Sequence, residues 1–327
     1  MKLRSIITGI ILPVLFLSCV ENMDIKVPEK DLGRIVIEGE ITDDEPPYFF
    51  RVSKTIKLNE NYNPGIGEAL IILEDNEGTK DTLQHVKRET VYYSGQWYYC
   101  RLIYDNKYYN RKDTFMVPEP LKITVPKEFA EGFFVTNKIR GKQNNTYTLT
   151  VKYGDNVYTA SEQMPERTVI DSLWLAEKAN EKEGSQITPF LNFRNNPAKE
   201  NYYLFSFKRV GPEEMLRQDR RIWPFSIVDN KHMPENVMAF NPNDGEAVRG
   251  YPDGSLFFIN DTATVRLGTI SKSCYDFYSD LIQQMRYDGG AYTPAPTTGR
   301  SNFSNGALGY FRVIAVSEKK IKNEFYK

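Results

Sequence analysis

The chain has 327 residues, with 42 basic and 43 acidic side chains and a formal net charge of −1. So even a balance gives no basic excess and no argument for nucleic acid as a partner. Aromatic residues make up 13 % of the chain, with 21 Tyr, which favours β-structure and aromatic-rich surfaces.

The first eighteen residues form an export leader. Lys2 and Arg4 make a short basic start, Ile6 to Leu17 an apolar run, and Ser18 is the small residue at the cut. The run is shorter than the roughly 20 apolar residues of a transmembrane helix, and Pro13 disfavours an unbroken one. Leu15-Phe16-Leu17-Ser18-Cys19 fits the pattern cut by signal peptidase II, so Cys19 is expected to carry lipid. Two acyl chains already suffice for stable anchoring, each buried methylene contributing about 0.8 kcal/mol. Removing the leader leaves about 309 residues, enough for two ordinary domains.

Residues 19–33 read as a polar tether, with Glu21 and Asp24 close behind the lipid. Residues 34–165 read as a β-sandwich. Ile35, Ile37, Gly39 and Ile41 alternate with polar residues, then Tyr48, Phe50 and Val52 do so after a turn. Ala69–Leu73 is a continuous apolar strand whose hairpin partner is Thr79–Gln84. Thr90–Tyr104 carries a Ser94-Gly95 turn, and Leu121–Val125 is a short apolar stretch. Thr146–Tyr153 and Val157–Ala160 flank a Gly-Asp-Asn turn. Short strands with turn chemistry between them and no helical period indicate a β-sandwich.

Gln163–Thr168 is the expected exit, and residues 166–327 form a second β-rich domain. Ile170–Leu175 opens it, Ala176–Gln186 is a solvated helix or a loop, and Tyr202–Val210 is a strand. Gly211–Gly254 holds five prolines and reads as a long irregular segment. Leu256–Ile259 and Thr264–Ile270 are strands. The clear helix spans about residues 273–287, with Ser273 and Asp276 as a capping box and Tyr278, Leu281, Ile282 and Met285 on one stripe. Leu308–Val316 is the last strand, and the tail from Lys319 is expected to fray. Cys100 and Cys274 could pair in an oxidising compartment. They fall in different expected domains, and two buried free thiols are the favoured reading.

Four segments carry a resemblance to the domain-of-unknown-function 4249 family, outer-membrane lipoproteins of Bacteroidota. They are the lipobox before the first strand, IVIEGEITD followed by PPYFFRVSKT, TYTLTVKYGDNVYTASEQMPERTVIDSL, and VRLGTISKSCYDFYSDLIQQM followed by SNFSNGALGYFRVIAVSE. The last pair is similar to the family's C-terminal signature, an aromatic-rich helix before an Asn-x-x-Asn-Gly-x-x-Gly-Tyr-Phe segment. The segment from Thr90 to Arg140 departs from the family, with an extra aromatic and basic stretch. The resemblance implies a context and no chemistry: a surface lipoprotein beside a TonB-dependent receptor, capturing or covering its ligand, with a first domain that looks like an immunoglobulin-like or transthyretin-like β-sandwich.

Chemistry motifs are sparse. There are two histidines, His85 and His232, and no zinc spacing, nucleophile elbow or Gly-rich phosphate loop, so no catalytic residue, metal or cofactor is expected. Asp-Asn and Asn-Asp pairs at Asp75, Asp229 and Asn243 suit turns better than the six to eight oxygens that calcium takes. Thr82, Ser172 and Thr262 each follow an Asp and precede an apolar residue, the tripeptide that Bacteroidota O-glycosylate. The aromatic run from Tyr92 to Tyr109, with Trp97, Tyr98 and Tyr99, is one candidate contact surface, since half of such rings must leave the core face of a strand pair; a second core face is the alternative. Arg220, Arg221 and Trp223 in the long loop are the other, having hot-spot composition. The expected function is a non-enzymatic, lipid-anchored accessory of an outer-membrane TonB-dependent receptor, surface-exposed, binding a peptide or glycan. The alternatives are a structural or adhesive surface lipoprotein and, third, a carboxylate-dependent hydrolase.

Overall fold

The computed structural model describes residues 33–55, 64–92, 98–105, 107–111, 131–180, 184–210, 225–242, 246–247, 262–286, 299–322 and 324. The fold is mostly β with one helix among these residues. In chain order the first strands are β1 (Ile35–Thr42), β2 (Tyr48–Lys54), β3 (Leu70–Asp75), β4 (Lys80–Thr82), β5 (Gln84–His85), β6 (Lys87–Tyr92), β7 (Tyr98–Tyr104) and β8 (Lys107–Arg111). There follow β9 (Phe133–Thr136), β10 (Thr146–Tyr153), β11 (Asn156–Gln163), β12 (Ile170–Asn180), β13 (Gly184–Arg194) and β14 (Tyr202–Val210). The chain closes with β15 (Phe225–Asp229), β16 (Asn236–Phe240), β17 (Glu246–Ala247), β18 (Thr262–Ile270), helix α1 (Lys272–Arg286) and β19 (Leu308–Lys322).

A nine-stranded sheet, ordered β17-β15-β14-β18-β19-β1-β2-β9-β5, runs through both halves of the sequence. On one of its faces lie two smaller sheets, β11-β10-β3-β4 over the first half and β12-β13-β16 over the second. Strand alternation decides what meets what. Ile35, Ile37 and Ile41 of β1 point with Phe50 and Val52 of β2 toward Ile71 and Leu73 of β3 and Leu149 and Val151 of β10, forming one core between two facing sheets. Phe205, Val265 and Leu267 point the same way and meet Leu191, Phe193 and Val237 of the second small sheet. The opposite face of β14, β15, β18 and β19 carries Ile227, Ile270, Ile314 and Val316, which α1 covers with Cys274, Tyr278 and Ile282. A third small sheet, β6-β7-β8, is an antiparallel meander.

β19 is buried on both faces, which is why it reads as a continuous apolar run. Phe311, Val313 and Ala315 fill the sandwich core, while Tyr310, Ile314 and Val316 lie under the helix. Its first half pairs parallel with β1, Val36 to Leu308 through Thr42 to Ile314, and its second half pairs antiparallel with β18, from Ala315 to Lys322. The change of partner is fixed by Asp43, a buried carboxylate just past β1. Its Oδ1 accepts the Val316 N–H at 2.7 Å and its Oδ2 holds Arg167 at 2.7 Å. The sheet therefore crosses the segment expected to separate two domains.

Several sequence expectations are corrected here. Residues 176–180 and 184–186 are neither helix nor loop: β12 continues to Asn180 and pairs antiparallel with β13 from Gly184, with Ile187 and Ile321 packing on Leu175. The charged side chains hid a hairpin whose apolar partners lie further along. The segment 211–254 is not wholly irregular, since β15, β16 and β17 lie within it. The tail does not fray at Lys319, because pairing with β18 continues to Lys322. Thr79–Gln84 is not one strand. Leu83 is buried and its N–H reaches Ile71 O, after which the chain crosses to the other sheet and pairs as β5 with β9. The helix cap is Ser271, whose Oγ accepts the Cys274 N–H at 3.1 Å. Ser273 instead donates to Glu162, and Asp276 binds Lys272 and Arg300. The expected strands at 121–125 and 256–259 lie outside the described residues.

Candidate binding site

The segment Ser301–Phe311 organises the end of the sandwich, and each of its polar residues has a task. Before β19 meets β18, one of its edges is open beside Phe311. The Asn302 amide fills that rung, accepting the Phe311 N–H at 3.0 Å and donating to Phe311 O at 2.8 Å. Phe303 and Ala307 enter the core. Ser304 bonds Thr159, and Asn305 donates to Val157 O at 2.6 Å, so this loop covers the outer edge of β11. Asn305 and Gly306 both turn with positive φ. Gly309 has φ +89° and sits so close to β1 that a Cβ would lie 2.1 Å from Ile37 O.

This loop, the start of β1, the end of β2 and the β10–β11 hairpin surround a cleft of about 440 Å³. Its lining is Gly33, Arg34, Ile35, Lys54, Tyr153, Asn156, Tyr158, Asn305 and Gly306. The Arg34 guanidinium donates to Gly306 O at 2.6 Å, which holds the turn against the first strand. The Lys54 ammonium lies 5.2 Å from the centre of the Tyr153 ring. Tyr158 is 9 % exposed, packs its ring in the sandwich core and also lines the cleft. No acidic residue is among those that line the cleft.

Buried carboxylates lie elsewhere and are engaged. Glu162 accepts from Tyr310 at 2.5 Å, Ser273 at 2.8 Å and Asn302 at 3.3 Å, tying α1, β19 and the loop to β11. Asp81 takes Lys138 at 2.9 Å and the Thr136 hydroxyl at 2.6 Å. Asp75 accepts the N–H groups of Glu77 and Thr79, as a turn requires, and Asp280 binds Arg300. Under α1, burial pushes the Cys274 thiol and the Tyr278 and Tyr310 hydroxyls upward from their ordinary values. For Tyr310 the hydrogen bond to Glu162 pushes the same way.

Cys19, Trp97, Arg220, Arg221 and Trp223 lie outside the described residues. Tyr98 and Tyr99 lie on β7, paired with Tyr92 and Val91 in the separate meander. Thr82 is exposed on β4, while Ser172 and Thr262 are half-buried on β12 and β18. Cys274 is a buried free thiol. Among the described residues there is no group of three or more His, Cys, Asp or Glu that could hold a metal, and no helix long and apolar enough to cross a membrane. Sequence reasoning missed the cleft altogether. Its walls come from four separate segments, and a lone Tyr in an alternating strand reads as core; only the Asn-Gly turn beside Gly309 marked the place.

No curated protein matches the chain. Among solved structures, one described as "Biofilm associated protein - BSP domain" is similar at 9 % identity, over 90 % of this chain, with a TM-score of 0.18. The chain spans 60 % of that structure's length, and a likeness this weak carries no argument. The profile of the family described as Domain of unknown function (DUF4249) matches residues 20–320, nearly all of the body and the signature loop included, and the chain belongs to that family.

Proposed function

We propose that this protein is a non-enzymatic binding protein, anchored to the outer membrane by lipid on Cys19, that serves a TonB-dependent receptor by holding its ligand at the cell surface. The observation that carries the binding reading is the cleft in which Lys54, Tyr153, Asn156 and Tyr158 converge beside Arg34. A preformed concave site of this volume, with a few convergent polar groups, is the usual form of a small-ligand site. The lipobox at Leu15–Cys19 supports the anchor, and the receptor is what the resemblance stated above implies. Gentle detergent extraction with an affinity tag on the C-terminal end tests the partnership. Stoichiometric recovery of a large β-barrel is the expected result. Recovery of the protein alone under several mild detergents contradicts it and favours a structural or adhesive surface lipoprotein.

A further inference from the structure

We propose that Asn305 is a site of spontaneous deamidation, in which the Gly306 backbone nitrogen displaces the side-chain amide and the product loosens the loop that covers β11. Asn305-Gly306 is the one Asn-Gly pair in the sequence. Both residues are exposed, and the stretch 299–322 around them is described without a break. The reaction needs the side-chain carbonyl within reach of the next backbone nitrogen and little bulk beside that nitrogen. Gly306 meets the second condition because it has no Cβ. In the reaction the Gly306 nitrogen bonds to Cγ of Asn305 as the Cγ–Nδ2 bond breaks, and the Gly306 N–H proton leaves with Nδ2 as ammonia. The five-membered imide takes up one water and opens to aspartate or, through its other carbonyl, to isoaspartate. No electrons are transferred, and solvent water is the sole co-reactant.

The fold restrains the reactant. Asn305 and Gly306 are the central residues of a turn, with φ of 55° and 71°, and Ser304 O accepts the Ala307 N–H at 3.4 Å. The Asn305 amide donates to Val157 O at 2.6 Å, which ties the leaving group to β11. Attack therefore waits for local opening of the loop. Asn302, in the same segment, is the contrast: it precedes the bulky Phe303, and its amide bonds both backbone groups of Phe311. The product cannot repeat the contact that Asn305 makes. An ionised carboxylate has no N–H to give, and Val157 O would face a second acceptor. The loop then keeps its bonds at Thr159, whose N–H reaches Ser304 Oγ at 2.9 Å and whose carbonyl accepts the Ser304 N–H at 2.8 Å. It loses its hold at Val157, an exposed apolar residue on the edge of the sheet.

The test warms the detergent-extracted full protein at mildly alkaline pH, folded and in urea, and follows it by peptide mapping and mass spectrometry. Trypsin cuts after Arg300 and Arg312, so Asn302 and Asn305 share the peptide SNFSNGALGYFR. That peptide is expected to gain the mass difference between OH and NH2 at Asn305, in aspartate and isoaspartate forms, and not at Asn302. Conversion is expected to run about tenfold slower in the folded protein than in urea, the factor being set by local opening. Asn305→Asp carries the product's charge, and Asp tolerates a positive φ nearly as well as Asn. This variant is expected to unfold about 2 °C below the parent and to exchange the Thr159 and Ser304 N–H groups faster. Asn305 left intact in the folded protein, equal conversion at Asn302, a rate no slower than in urea, or an Asn305→Asp variant with the parent's midpoint and exchange overturns the proposal.

Discussion

Gly309 shows how little freedom a single position can have. Its φ of +89° is a backbone state that L side chains rarely adopt, and Ile37 O stands 2.1 Å from where a Cβ would be. Both constraints arise because β19 enters parallel to β1 at that residue, with Ile37 opposite Gly309. Backbone, not a pliable side chain, is in the way. Gly309→Ala should therefore lower stability by about 3 kcal/mol or more, combining strain with the displaced strand. Urea unfolding monitored by circular dichroism measures it, and a loss under about 1 kcal/mol contradicts the assigned register. The neighbouring Gly306, with φ +71° and open space around it, should tolerate Asn far better. Reading SNFSNGALGYF alone marks a turn. It does not reveal that Asn302 stands in for a strand, because that depends on the edge of β19 that β18 leaves open.

Elements were legible in proportion to how locally their pattern was set. β1, β2, β10 and β11 bury one face and alternate cleanly, so their sequences announce them. The stripe on α1 was equally plain, yet its cap was misplaced by two residues, since Ser271 and Ser273 are equivalent in sequence and only one was free to turn inward to the backbone. The β12–β13 hairpin was hidden because its polar end carries no alternation, while Leu175, Ile187 and Ile321 meet only in the fold. β9, a run of Phe133 to Thr136 buried on both sides, gave no period to read. The packing of α1 on β19 has a consequence at high pH. Tyr278, Tyr310 and Cys274 have raised values in the folded protein, so the folded state keeps protons that the unfolded chain releases. Their contribution to stability is complete below about pH 8, begins to fall as the unfolded thiol ionises near 8.5, and falls faster beyond about 10, where unfolded tyrosines ionise. Urea midpoints between pH 7 and 11 should decline in that order, and Tyr310→Phe should flatten part of the upper slope. A midpoint that rises through this range contradicts the buried placement of these groups.

At the scale of the molecule, one strand serves two cores. β19 gives one face to the sandwich core and the other to the core under α1, and Asp43 stands where its pairing passes from β1 to β18. The described body is expected to unfold in one cooperative transition. Asp43→Ala should cost about 2–3 kcal/mol, chiefly by orphaning the Val316 N–H, with a smaller part from Arg167, which is about a third exposed. Two separated transitions in calorimetry would contradict the shared strand. Gly33 and Arg34, the first described residues, line the cleft. A lipid at Cys19, as proposed above, would anchor the body to its membrane. Mass spectrometry of protein extracted intact from outer membranes tests this most directly. The account predicts a chain that begins at Cys19 and carries three acyl chains, one of them on the α-amine. A free thiol at Cys19, or a leader still attached, would contradict it.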